Sequence, residues 1–191
     1  MTDEIDIIKN ISGICGIILP IIFILSVYLS LQNAIWFSWT ENAISDMGRP
    51  EYGLEFFNYS LIAIGVLLLI FTFGLYYSMN KYRFGPTVLA LSSIYFIGVG
   101  IFPLPDPNHV DFSSLFFIGF PIGFFILGQY LYKQKLKFFK NMGIFAFVIT
   151  IIAVCSPLFL IFYPGIAVPE VLILIPGFFW CLIYGVYLII H

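Results

Sequence analysis

Long apolar stretches broken by short polar segments set the pattern of this chain. Residues 61–77, for example, run from Leu61 to Tyr77 without a single charge. A helix needs about 20 mostly apolar residues to cross hydrocarbon. The strands of a membrane barrel would instead alternate apolar and polar positions over roughly ten residues. Continuity without alternation predicts helices. Six spans follow, at about 11–31, 54–79, 86–102, 113–131, 143–162 and 171–190, within a single transmembrane domain covering residues 1–191. The last two divide a stretch in which Glu170 is the only acid or base before His191, and Tyr163-Pro164-Gly165 with Pro169 mark the turn. The first span is expected to be a permanent helix and not a cleaved leader. Asp3, Glu4 and Asp6 precede it against one lysine, Lys9, whereas signal peptides begin basic.

Composition turns this pattern into a class. Hydrophobic residues make up 61% of the 191, aromatic residues 20% and charged residues 9%, and the mean hydropathy is +1.05. A soluble domain carries roughly 25% charged residues, and one of this size would still leave much of its surface in water. The expectation is an all-α polytopic membrane protein, not a soluble enzyme or a secreted scaffold. A net charge of −2 leaves no basic surface for a nucleic acid, so none is expected as a partner. Cys15, Cys155 and Cys181 all lie inside apolar runs, which excludes a disulfide framework or a CxxC metal motif.

Charge also orients the chain. Basic residues in short loops favour the cytoplasmic side. With six spans, Lys9, Lys81, Arg83, Lys133, Lys135, Lys137 and Lys140 share one side, and only Arg49 lies on the other. Both termini are therefore expected in the cytoplasm, with the protein in the cell membrane. Glu41, Asp46, Glu51, Glu55, Asp106, Asp111, Glu170 and His109 gather on the outer side.

Three outer loops carry the candidate chemistry. The first begins Ala34-Ile35-Trp36-Phe37-Ser38-Trp39, whose indoles suit the membrane boundary, and continues through Asn42, Ser45, Asp46, Gly48 and Arg49. Ser45 or Asp46 would cap a turn there, or would form part of a ligand pocket together with Asn42. Asn58 follows about one turn inside the second span and needs a hydrogen-bond partner in hydrocarbon. That partner is either a neighbouring backbone or a bound ligand. The second loop holds Pro103, Pro105 and Pro107, which would stiffen it around Asp106, His109 and Asp111. One histidine and two aspartates in six residues suit acid/base work. A zinc site usually takes two or more His or Cys ligands, and the other histidine, His191, lies at the opposite end. No metal or cofactor is expected.

Within the spans the signals are structural. Gly119 and Gly123 form a small-xxx-small pair about Pro121, which suggests a kinked close contact. Pro20, Pro157 and Pro176 are expected to bend the first, fifth and sixth helices. No ionisable group falls mid-span, which argues against a proton pump or voltage sensor. A faint echo of residues 20–29 in 121–131 is compatible with an inverted repeat of three spans.

The motif Asn42-x-x-Ser45-Asp46-x-Gly48, then Phe57-Asn58 and Gly65, with Gly100-x-Phe102-Pro103 and His109 later, resembles a family of small six-helix archaeal and bacterial membrane proteins. That family is known as domain of unknown function 998. Ile44-Ser45-Asp46-x-Gly48 is also similar to the first loop of the DRAM/Sfk membrane family, which implies a lipid theme. Alkaline ceramidase-like hydrolases differ, since the chain lacks their histidine pair in the last helix.

Three functions follow as expectations. The first is lipid binding or handling, with Asn42, Ser45, Asp46, Asn58 and His109 holding a headgroup and Arg49 pairing with a phosphate. The second is an intramembrane hydrolase or transferase acting on lipid headgroups, with His109 as base oriented by Asp46 or Asp111. The third is a non-catalytic accessory subunit, bound to a membrane-protein partner or to further copies of itself.

Overall fold

The computed structural model describes residues 2–79 and 82–191. Lys81 and the side chain of Asp3, both part of the charge pattern above, lie outside the described residues. Six helices span α1 (Thr2–Asn33), α2 (Glu55–Ser78), α3 (Phe84–Ile101), α4 (Asn108–Tyr132), α5 (Lys137–Cys155) and α6 (Ala167–Ile190). All six stretches are long and apolar enough to cross a membrane, the fifth when the turn that prolongs α5 is included, and the described residues contain no strand. The chain is a multi-pass membrane protein.

Six helices are present, as expected; their ends differ from the expected bounds at several places, and three of these differences have local causes. Helix α1 begins well before the apolar run, where Asp6 pairs with Lys9 one turn on. Helix α4 begins at Asn108, so His109 and Asp111 occupy its first turn and not a proline-stiffened loop. The reason is Asp106, whose Oδ1 accepts both the backbone N–H and the side-chain amide of Asn108 at 2.9 Å and so opens the helix. Helix α5 stops at Cys155 because Pro157 cannot donate to the carbonyl of Ala153. The Ser156 hydroxyl donates to that carbonyl at 3.0 Å, and a 3-10 turn, Ser156–Ile161, follows. Pro157 thus ends α5 and does not bend it, while Pro20, Pro121 and Pro176 stay inside their helices.

Each helix packs on its neighbour in sequence, and α6 closes the ring against α1. Close approach makes that closure. A Cβ on Gly13 would meet the Gly185 carbonyl at 2.6 Å, and one on Gly185 would meet the Gly13 carbonyl at the same distance. In hydrocarbon, backbone proximity of this kind drives helix association through packing, since lipid tails remove the usual hydrophobic gain. Gly119 and Gly123 on α4 leave room for the side chains of Ser92 and Leu89 on α3.

Aromatic rings fill the centre. Phe178 on α6 contacts the rings of Phe23, Phe96 and Phe120, which come from α1, α3 and α4. Trp180 packs edge-on against Phe71 and Phe124 and donates its indole N–H to the Met142 carbonyl at 2.9 Å. The seam between α5 and α6 is the weakest in the ring. At that seam the surface opens.

Candidate functional site

The acidic end of the bundle is organised by its first loop. Trp36 stacks on Tyr52, ring centres 3.9 Å apart, and this pins the start of the loop to its end. Asn42 Oδ1 accepts the N–H of Ser38 at 2.9 Å. Asp46 Oδ2 accepts the N–H of Ala43 at 2.8 Å, which opens a 3-10 turn, Ile44–Gly48. Its Oδ1 accepts from Arg49 Nε at 2.8 Å, and Glu51 lies 3.7 Å from the same guanidinium. The Asp46 hydrogen bond pushes the Arg49 pKa up, so the guanidinium stays a cation. Asn42, Asp46 and Arg49 therefore shape their own loop.

Asn58 holds that loop down. Its amide donates to the Gly48 carbonyl at 2.6 Å, buried under the turn, and a Cβ on Gly48 would fall on the amide itself. This meets the polar group's need for a partner with backbone.

The third loop then docks on the first. The Gly165 N–H donates to the Thr40 carbonyl at 2.8 Å and the Ala167 N–H to the Asn42 carbonyl at 2.9 Å. A Cβ on Gly165 would stand 2.6 Å from the backbone of Glu41, so only glycine permits the approach. One turn into α6, Glu170 Oε2 accepts the Ile44 N–H at 2.7 Å. Glu170 is only 7% exposed, and its other oxygen, Oε1, has no hydrogen-bond partner among the described residues.

The second loop contributes His109, 4% exposed and turned inward from the first turn of α4. Its Nδ1 lies 2.7 Å from the Phe102 carbonyl. A carbonyl can only accept, so a proton is assigned to Nδ1. Asp111, two residues further round the helix, is exposed. His109 makes no hydrogen bond or ion pair with Asp46 or Asp111 among the described residues.

Ser45, His109, Ser113 and Glu170 line one small cavity of about 20 Å³, so all three outer loops meet there. That is room for one water-sized group. Beside it runs a larger apolar groove of about 760 Å³ between α4, α5 and the start of α6. Ser113, Phe117 and Glu170 line both. From Ser113 to Phe125 the groove follows α4 for roughly 18 Å at a helical rise of 1.5 Å per residue. Its walls carry Ile118, Ile122, Ala153 and Ile173, and its rim residue Val154 is 73% exposed. The groove therefore opens sideways on the outer face of the bundle.

Of the residues proposed from sequence, Ser45 and His109 line the small cavity, while Asn42, Asp46, Arg49 and Asn58 line neither space. Glu170 and Ser113 were missed as site residues. The available signal was Glu170 itself, an isolated acid in a long apolar run, which such a run tolerates only for a reason. Among the described residues, no three His, Cys, Asp or Glu side chains gather to hold a metal ion.

Comparison with known proteins gives one family. The model of the family described as "Protein of unknown function (DUF998)" matches residues 15–187. No curated protein and no solved structure matches the chain.

Proposed function

The chain belongs to the DUF998 family, and we propose that it binds a membrane lipid, with the lipid's hydrocarbon chain in the lateral groove and its head at Glu170. The observation that carries this reading is the groove itself. Its volume of about 760 Å³ falls in the range of ligand sites, its walls are apolar, and a few polar groups converge at one end. A polar tip on an apolar slot matches an amphiphile in shape and polarity. By the positive-inside tendency, the lysine-rich end faces the cytoplasm of a cell membrane and the polar tip lies in the outer leaflet. The headgroup site sits deeper than the loop residues Asn42, Asp46 and Arg49, whose polar atoms are already engaged.

A hydrolytic role on lipid headgroups is the lesser reading. The His109 imidazole suits a general base. Yet the Ser113 hydroxyl in the same cavity donates to the Val110 carbonyl at 3.1 Å and not to the imidazole.

Native mass spectrometry of the purified chain tests lipid binding. Wild type is expected to retain one lipid. Ala153→Phe, which pushes a ring into the groove wall, is expected to lose it while the helical content stays the same. Equal retention by both proteins, or none by wild type, would overturn the reading.

A further inference from the structure

A second pocket, of about 210 Å³, lies at the lysine-rich end of the bundle, between the start of α3 and the end of α4. Close helix contact bounds it on one side, where a Cβ on Gly85 would stand 3.0 Å from the Leu127 side chain. Tyr82, in the connection before α3, stacks on Tyr130 with ring centres 4.5 Å apart and forms another wall. Phe84 and Ile126 add apolar lining. Phe84 is 70% exposed, so apolar surface continues from the pocket to the outside of the bundle.

The polar lining carries positive charge and no negative charge. Lys133, Gln129 and Gln134 supply it, with neither aspartate nor glutamate among the lining residues. The Lys133 ammonium makes no hydrogen bond or ion pair among the described residues. Arg83, just before α3, is engaged on α2. Its guanidinium lies 4.4 Å from the centre of the Tyr76 ring and donates to the Tyr76 hydroxyl at 3.3 Å. The acids described at this end, Glu4 and Asp6, belong to α1, which packs chiefly on α2 and α6. The last carbonyls of a helix disfavour an anion, and two of those on α4 are covered. The N–H groups of Lys133 and Gln134 go to the Tyr130 and Leu131 carbonyls at 3.3 and 3.0 Å, and Gln134 Nε2 also donates to Tyr130.

We propose that this pocket binds the phosphate of an anionic phospholipid, with Lys133 as its counter-charge and the Gln129 and Gln134 amides as further donors. It is a second lipid site, independent of the lateral groove. A site that encloses a whole small ligand measures roughly 300–1,000 Å³. The smaller pocket here suits a head whose chains stay in the bilayer against Phe84 and Ile126. Lys135, Lys137 and Lys140 follow Lys133 with no acid among residues 133–140, so the surrounding potential also favours an anion. A zwitterionic head would bring a cation that finds no carboxylate in the pocket and stands beside Lys133. The positive-inside tendency assigns this end to the cytoplasm, and the cytoplasmic leaflet is rich in anionic lipid.

The test is competition between dioleoyl phosphatidylglycerol and dioleoyl phosphatidylcholine, offered together to the purified full chain and read by native mass spectrometry. Wild type and the groove-blocked Ala153→Phe are both expected to retain phosphatidylglycerol over phosphatidylcholine by about fivefold, the scale of one lysine beside an anionic head. Lys133→Gln, at an exposed position, removes the charge and should bring the preference near parity. Gln129→Glu, also exposed, sets a carboxylate in the pocket and should do the same; it carries the test should Lys133→Gln fail to fold. Lys137→Gln, outside the pocket, should keep most of the preference. An equal loss in Lys137→Gln and Lys133→Gln would overturn the site in favour of diffuse attraction to the lysine patch. Preference absent from wild type, or unchanged in both pocket variants, also overturns it. Preference present in wild type but lost in Ala153→Phe would place the anionic lipid in the groove, which overturns this site and leaves the groove reading standing. Displacement of phosphatidylglycerol by millimolar glycerol phosphate would assign the pocket to a soluble phosphate ester and overturn the lipid as its occupant.

Discussion

Glu170 and Ile44, 126 residues apart in sequence, are joined by a 2.7 Å hydrogen bond from the Ile44 backbone N–H to the Glu170 carboxyl group. The bond fixes the start of α6 to the turn Ile44–Gly48 and leaves the other carboxyl oxygen without a hydrogen-bond partner among the described residues, in a side chain that lines the groove. Glu170→Ala removes the acceptor and strands a buried N–H, at an expected loss of about 1–3 kcal/mol. Glu170→Gln, which can still accept, is expected to stay within about 1 kcal/mol of wild type. Thermal melting in one detergent compares them, and an alanine variant as stable as the glutamine variant would show that the bond carries no weight.

Gly165→Ala tests the docking of the two outer loops. Its methyl would stand 2.6 Å from the Glu41 backbone, which has no rotamer by which to yield. Overpacking of this kind costs about 1–3 kcal/mol. The Gly165 to Thr40 and Ala167 to Asn42 bonds should loosen together, so hydrogen exchange at residues 165 and 167 is expected to quicken. Protection equal to wild type at both amides would show that the loops accommodate the methyl.

The helices were legible in the sequence because each one is written in its own contiguous residues. The run of 61–77 needs no partner to declare itself, and Pro164-Gly165 marks its turn locally. The site was not legible in this way, because its polar groups meet through contacts that no local pattern encodes. Asn42, Ser45 and Asp46 cluster in sequence and looked like a pocket, yet only Ser45 lines the cavity. Asp46 turned out to be a turn former, as its Ala43 and Arg49 bonds show. Glu170 carries the reverse lesson. Its isolation was visible, but its partner lies in the first loop and its groove is walled by α4 and α5, so its role appears only in three dimensions. His109 was singled out in the sequence for its proximity to aspartates. The structure pairs it instead with the Phe102 carbonyl, seven residues back.

Asn58 is expected to matter for the fold more than for the ligand. Asn58→Leu keeps the size but deletes the 2.6 Å bond to Gly48 and leaves that carbonyl unpaired, for a loss of about 1–3 kcal/mol. Lipid retention per folded molecule should not change, since Asn58 lines neither cavity nor groove. Melting and native mass spectrometry on the same sample separate the two effects, and lost retention in a fully folded variant would place Asn58 in the ligand site.

Arg49→Ala should be mild. The guanidinium is about a third exposed, and its pairs with Asp46 and Glu51 are partly screened by water and salt. The expected cost is at most about 1 kcal/mol, shrinking further at high salt. Binding of anionic lipid should be no weaker than in wild type. A large loss of an anionic lipid would restore Arg49 as a phosphate clamp and displace the headgroup from Glu170.

The orientation of the polar tip decides which leaflet supplies the lipid, and the basic residues make a definite statement about it. Lys133, Lys135, Lys137 and Lys140 stand between α4 and α5 or in the first turn of α5, at the end of the bundle opposite Arg49. Lysines in so short a connection resist translocation, so that end is expected in the cytoplasm. Single cysteines in place of Arg49 and Lys137, in a background with Cys15, Cys155 and Cys181 changed to serine, report the two ends separately. A membrane-impermeant maleimide added to intact cells should label position 49 and spare 137 until the cells are opened. The reverse pattern would invert the protein and assign the groove to lipid of the inner leaflet. Labelling of both positions from outside would break the six-span topology itself, because an even number of crossings between the first loop and the α4–α5 connection is the only way to leave both on one side.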